Sequence, residues 1–213
     1  MSHHESVAKG PDARLVDRML FFSDAVFAIV LTLMVLELRP PEAHSEADLA
    51  RGIAEMGRQF ASFFISFALG AAFWLAHMRL TRSLLAFDWP TAFVNLIHLM
   101  CVALLPFAAA VLGEHIASDV AFSAYALVII AVSFSGALFW LVASRGKGRL
   151  MGGLSWRQRI AGALRSSAIG WAFVAGFILT QQGQVEIARF CWLFLFPVLI
   201  VARVIGGAEK RPA

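Results

Sequence analysis

Six long apolar blocks decide what this chain can fold into. They run over residues 19–38, 60–80, 92–112, 120–144, 160–180 and 187–205, with charged or Gly/Pro-containing breaks between them. Each meets the requirement of about 20 residues for crossing a hydrocarbon core about 30 Å thick. With 60% hydrophobic residues against 15% charged in 213 residues, a soluble domain could not hide so much apolar surface. The expected fold is therefore an all-α polytopic membrane protein with six transmembrane helices. Residues 1–17 form a polar lead, 18–206 a single membrane domain and 207–213 a short tail. No cleavable signal peptide is expected, because the first block is too long for an h-region and no small-residue cleavage site follows it.

The pI near 9.7 invites a nucleic-acid reading, but the basic residues follow membrane topology instead. With six spans, both termini, the 81–91 loop and the 145–159 loop share one side. Of the 18 Lys and Arg, all but Arg39, Arg51, Arg58 and Arg189 fall on that side or at its helix ends. The positive-inside rule makes that side cytoplasmic. Trp89, Trp140 and Trp156 lie near the same face, as an interfacial aromatic belt would. The opposite side carries Glu37, Glu42, Glu46, Asp48, Glu55, Glu114, Asp119 and Glu186, a solvated acidic surface that would also concentrate cations. Cys101 and Cys191 both sit inside apolar blocks and read as free thiols, with neither disulfide nor metal-ligand spacing.

Between the first two blocks, Pro40 and Pro41 stop a helix and Ser45 starts a short amphipathic one with Leu49, Ile53 and Met56 on one face. The 144–159 stretch, "SRGKGRLMGGLSWRQR", is basic and glycine-rich and reads as a mobile loop.

The sharpest clue is polar. A charge at mid-membrane costs roughly 2.5–3.5 kcal/mol even on lenient insertion scales, so it needs a partner. Block 1 carries Arg18, Ser23 and Asp24 in its cytoplasmic third. Block 2 returns through "FWLAHMRL", bringing Trp74 and His77 to that level, and block 3 leaves through "FVNLIHLM" with Asn95 and His98. Three helices thus place polar groups at one depth. Asp24 is expected to be held by His77, Trp74, Asn95 and Arg18, pinning the first helix with bonds that lipid cannot supply. A competing reading makes Asp24 and a histidine a proton relay, although no outer-half carboxylate except Glu37 continues it. His98 alone reads as a packing histidine. The first helix has a second face, on which Phe22, Val26, Ile29, Leu33 and Leu36 recur at four- and three-residue steps. Ile29 lies about 140° around from Asp24. From the residues alone, that stripe meets lipid or another helix.

R-x-x-x-F-S-D, formed by Arg18, Phe22, Ser23 and Asp24, resembles the signature of the transmembrane protein 175 family of potassium channels. The likeness extends through "FSDAVFAIVLTLMVLEL", "FWLAHMRL" and "NLIHLMCVALLPF", about half the chain. It implies the bacterial single-repeat type: a homotetramer of six-helix subunits, both termini cytoplasmic, in the inner membrane of a prokaryote, with the first helix of each subunit lining a central pore. It places a hydrophobic constriction at Ile29, further apolar rings at Leu33 and Leu36, and a hydroxyl layer at Thr32. Trp74 and His77 match the residues that clamp the Ser-Asp pair. Such a channel needs no cofactor; its partners are K+, with Na+ as competitor, the bilayer and copies of itself, and no nucleic acid. The chain has no T-V-G-Y-G, and its one tyrosine, Tyr125, stands in "FSAYALV". Selectivity would then come from narrow side-chain rings and favour potassium only weakly.

Two other functions stay in view. A proton-coupled secondary transporter would use Asp24 and His77, but paired Gly/Pro-interrupted spans are lacking. An intramembrane hydrolase is disfavoured, since H-E-x-x-H is absent and "FSDA" and "FSGA" are not G-x-S-x-G.

Overall fold

The computed structural model describes residues 11–145, 150–188 and 190–206. The elements are α1 (Pro11–Leu33) with a 3-10 extension (Met34–Glu37), α2 (Glu46–Glu55), α3 (Gly57–Thr81), α4 (Trp89–Val102), α5 (Leu105–Glu114), α6 (Asp119–Ala143) and α7 (Trp156–Gln181). They are followed by α8 (Val185–Ala188), a 3-10 turn (Cys191–Phe194) and α9 (Leu195–Gly206). The described residues contain no β-strand. Among the described residues, five stretches are long and apolar enough to cross a membrane: Arg14–Glu37, Gly57–Thr81, Trp89–Glu114, Asp119–Ala143 and Trp156–Gln181. At 1.5 Å per residue each exceeds a hydrocarbon core about 30 Å thick. The chain is thus an all-helical, multi-pass membrane protein.

Local chemistry sets the helix ends. Ser45, Asp88, Ser118 and Ser155 each accept a backbone N–H from the first turn of the helix that follows, and Ser155 forms a full capping box with Gln158. Three boundaries differ from the sequence expectation. α1 begins at Pro11, upstream of the 1–17/18–206 boundary, while residues 1–10 and the 207–213 tail lie outside the described residues. The third block bends into α4 and α5 at Ala103–Leu104. Pro106, in the first turn of α5, lacks the N–H that would have bonded the Val102 carbonyl. The sixth block is divided into α8, the 3-10 turn and α9. Pro197 is tolerated only in a first helical turn, which fixes the start of α9 just before it.

Lipid supplies no hydrophobic drive between helices, so close approach and hydrogen bonds hold the bundle. Glycines provide the approach. A Cβ on Gly170 of α7 would lie 2.6 Å from Ser133 Cβ of α6, and one on Gly70 of α3 would lie 2.7 Å from Leu31 Cδ2 of α1. A Cβ on Gly162 would overlap the Trp140 indole, whose Nε1–H donates to the Arg159 carbonyl at 2.8 Å. Trp140 is therefore an inward clasp between α6 and α7, whereas Trp89 and Trp156 are exposed as an interfacial belt requires. Cys101 and Cys191 form no disulfide.

The stretch after α6 is less open than its glycines suggest. Residues 146–149 lie outside the described residues, but Leu150 and Met151 are buried against Leu80, Leu84, Phe139 and Ala143. The Leu150 carbonyl accepts from Leu85 N–H at 2.7 Å. Beside this contact Arg145 pairs with Asp88, the N-cap of α4. Burial pushes the Asp88 carboxyl up, but hydrogen bonds from Thr91 and the Arg145 guanidinium outweigh it and hold it below its ordinary 3.8. Because the folded value is the lower one, this stabilisation is present above the ordinary carboxylate range and lost as pH falls through the depressed value. Asp88→Ala should cost about 1 kcal/mol for the cap. The pair adds no more than about 1 kcal/mol, since both side chains are some 40% exposed. Thermal unfolding in detergent should show this deficit at neutral pH and show it narrowing in acid. A deficit independent of pH would assign the whole effect to the cap geometry.

Candidate functional site

α1 has two faces of opposite character. Val16, Ser23, Phe27, Val30 and Met34, at heptad-like spacing, are buried against the rest of the chain, Phe27 and Met34 to 1% exposure. Phe22, Ile29, Thr32, Leu33 and Leu36 face outward, Ile29 at 57% and Leu36 at 69% exposure. The Thr32 hydroxyl donates back to the carbonyls of Ala28 at 3.0 Å and Ile29 at 2.9 Å, so its proton is spent on its own helix and its lone pairs stay available.

The inward face of α1 is tied down by a buried hydrogen-bond chain. Ser23 Oγ donates to the Met19 carbonyl at 2.9 Å and accepts from Asn95 Nδ2 of α4 at 3.0 Å. Asn95, fully buried, has its oxygen left for His77 of α3, whose Nε2–H donates to it at 2.9 Å. That assignment follows from the lone-pair count: the amide nitrogen already serves Ser23, so only the oxygen can face His77. Asp24 lies outside this chain. It is exposed, and its Oδ1 accepts from Trp74 Nε1–H at 3.0 Å.

The expected single cluster around Asp24 is therefore two sets. His77 bonds to Asn95 and Asn95 to Ser23, and neither bonds to Asp24. Arg18 is exposed and is not a partner of the carboxylate. The physical reason is the 100° turn between adjacent residues, which sends Ser23 into the bundle and leaves Asp24 at its seam.

A second layer lies behind the first. The His77 ring stacks on His98 of α4, with centroids 5.6 Å apart and planes 7° off parallel, and on Phe139 of α6 at 5.5 Å. Phe27 touches both imidazoles. His98 Nδ1–H donates to Ser135 Oγ at 3.0 Å, because the Ser135 proton goes to the Val132 carbonyl. A Cβ on Gly136 would come within 3.3 Å of His98 Cε1, so a glycine lets the ring lie against α6. Sequence reasoning missed Ser135, Gly136 and Phe139. Their signal was the run Ser133-Phe134-Ser135-Gly136, polar and small inside an otherwise apolar block. Among the described residues no group of three or more His, Cys, Asp or Glu is placed to hold a metal ion.

This is a helical membrane fold organised around one helix with a pinned face and an open face. The whole chain resembles the crystal structure of a lysosomal potassium-selective channel TMEM175 homolog from Chamaesiphon minutus, with a TM-score of 0.73 at 23% identity, covering 89% of this chain and 99% of that one. A family model described as endosomal/lysosomal potassium channel TMEM175 matches residues 18–106, the stretch that holds α1, α3 and α4. A potassium channel of Chamaesiphon minutus is 30% identical over 139 residues, 63% of this chain and 68% of that protein. One of Streptomyces collinus is 32% identical over 134 residues, 61% of this chain and 65% of that protein. The human endosomal/lysosomal proton channel TMEM175 is 29% identical over 99 residues, 46% of this chain and 20% of that protein. The chain belongs to the TMEM175 family. These relatives are named as channels, not as enzymes.

The geometry ranks two substitutions. Asn95→Ala strands a buried imidazole N–H and removes the Ser23 donor, at about 1–3 kcal/mol for each group left unpaired. Trp74→Phe removes one hydrogen bond to a solvent-exposed carboxylate, about 1.5 kcal/mol, the low end of the range for a charged acceptor. Thermal unfolding of the two variants in detergent should put Asn95→Ala clearly lower. The reverse order would make Asp24–Trp74 the main tether of α1.

Proposed function

We propose that the chain is the subunit of a homotetrameric, potassium-preferring cation channel whose pore is lined by the outward face of α1. One observation carries this reading. The polar face of α1 is pinned inside its own subunit, while Ile29, Thr32, Leu33 and Leu36 are presented together on the outside. Four copies meeting on that face would place Ile29 as a dry constriction, Leu33 and Leu36 as apolar rings, and Thr32 as a ring of free lone pairs. The names of the bacterial relatives, potassium channels, support the permeant ion. Selectivity would rest on side-chain rings, since no T-V-G-Y-G filter exists in the sequence.

The subunit would cross the membrane six times, by α1, α3, the bent α4–α5 pair, α6, α7 and a last crossing that includes α9. Both termini would be cytoplasmic under the positive-inside rule, in the inner membrane of a prokaryote. No cofactor enters this scheme; the permeant species is K+, with Na+ as competitor. Arg18, Phe22, Ser23, Asp24, Trp74, His77, Asn95 and His98 would hold the pore helix in register. The third and sixth blocks are Pro-interrupted, contrary to the sequence expectation, but a transporter cycling protons through Asp24 and His77 is less well supported because the two groups belong to separate hydrogen-bond sets.

Reconstitution in liposomes with a K+ gradient, reading reversal potential against Na+ and then against a pH gradient, tests the function. Ohmic current reversing near the potassium potential is expected. Electroneutral saturable flux would favour the transporter, and reversal following the pH gradient would make protons the permeant species. Within the channel, Ile29→Asn should wet the constriction, raising single-channel conductance and loosening selectivity. No larger current with cation preference intact would take the pore off this face of α1. Thr32→Val keeps the shape but removes an oxygen. Losing a hydrogen bond of about 1 kcal/mol corresponds to about a fivefold fall in the potassium-over-sodium permeability ratio. An unchanged ratio would place Thr32 away from the ion path.

A further inference from the structure

Away from the polar layer, toward the opposite end of the bundle, the helices line an open-sided cavity of about 660 Å³. Its walls come from α3, α5, the α5–α6 turn, α6, α7 and the 3-10 turn at Cys191, and they are nearly all hydrocarbon: Ile65, Leu69, Leu112, Phe122 and Phe173 among them. Ile65 and Ile116, both exposed, lie at its mouth. Ser118 caps the end of α6 at the rim, and Tyr125, deeper in the wall, is seven residues or about 10 Å further along the helix. The cavity therefore lies in the outer half of the membrane span, with its exposed isoleucines at hydrocarbon depth.

Its occupant follows from what the walls can bond. The Tyr125 hydroxyl is already paired with Ser66 Oγ at 3.0 Å, and the Ser118 hydroxyl is engaged by Ala121 N–H. A water needs two to four polar partners; the two wall hydroxyls, each with one site taken and about 10 Å apart along α6, leave most of the cavity without any. A void of this size is also not left unfilled when hydrocarbon stands at its mouth. The volume is in the range of about 300–1,000 Å³ typical of ligand pockets.

We propose that this cavity is a binding site for an acyl chain of a membrane phospholipid, drawn from the outer leaflet in the orientation given above. Leu69 in its wall precedes Gly70, the point at which α3 rests on Leu31 and Met34 of α1. A chain in the cavity thus backs the helix that α1 leans on.

The test is photolabelling of the full chain in liposomes of phosphatidylethanolamine and phosphatidylglycerol that carry a trace of phospholipid with a diazirine in its acyl chain. Label should concentrate on the peptides bearing Leu69 and Phe122, severalfold above those bearing Phe93 and Met100, which are apolar and exposed on α4. Leu112→Trp and Ile65→Trp, which fill the cavity from different walls, should each lower the cavity label severalfold and leave the α4 label unchanged. Leu138→Trp, on the exposed side of α6, should change neither. Uniform labelling in the wild-type protein would overturn the proposal without recourse to any variant. So would cavity label indifferent to both fillings, or cavity label from a free diazirine fatty acid but not from the phospholipid.

Discussion

A bilayer interior offers no hydrogen bonds, so each polar side chain within a spanning helix must be answered by another helix. Here the answer is the chain from the Met19 carbonyl through Ser23 and Asn95 to His77. It couples α1, α4 and α3 at one level, and it fixes more than a distance. Rotating α1 by one residue would take Ser23 out of reach of Asn95 and Phe27 off the two imidazoles. The azimuth of the whole helix, and so the identity of its outward face, depends on these few bonds.

From His77 the constraint passes by stacking rather than by hydrogen bonds. Parallel imidazoles, with Phe139 on one side and Phe27 across both, carry the layer to α6. There Ser135 and Gly136 receive His98, and α6 in turn is locked to α7 through Ser133 against Gly170 and Trp140 over Gly162. The α6–α7 pair is thus a closely packed back wall. α1 is held more sparingly: polar bonds at one end, and contact with Gly70 of α3 further along. A helix so attached keeps a fixed rotation while leaving half its circumference to whatever lies outside the subunit.

Much of this was legible in the sequence, and the limits have physical causes. Block length is a one-dimensional quantity, so the spans and their multi-pass character could be read directly. Depth is also one-dimensional, which is why Ser23, Asp24, Trp74, His77, Asn95 and His98 could be placed at one level. Pairing needs the angle around each axis. Ser23 and Asp24 share a depth but differ by 100°, and only the packed structure decides which of them meets Asn95. Pro106 and Pro197 were readable breaks inside apolar blocks, but hydropathy alone ran through them. Leu150 and Met151 were hidden in a glycine-rich stretch whose composition spoke for mobility, although two adjacent large apolar residues need a place to pack.

Exposure by itself does not say what covers the open face of α1, because hydrocarbon would cover Ile29, Leu33 and Leu36 at no cost. Even Thr32 could face lipid, its proton being satisfied by its own backbone. Asp24 is what discriminates. It lies five residues, about 7.5 Å, beyond Met19, where the apolar block of α1 begins, and its side chain is exposed with one indole N–H as donor. A carboxylate against lipid tails bears a penalty that reaches roughly 2.5–3.5 kcal/mol at mid-membrane, against which one hydrogen bond of about 1.5–3 kcal/mol at best breaks even. Water or protein is therefore the better cover for this side of α1. Thr32, eight residues on, lies only about 80° around the axis from Asp24, and Ile29 about 140°. The flank that lipid covers poorly is continuous with the apolar stripe, which supports the proposal that the stripe faces other subunits rather than the bilayer.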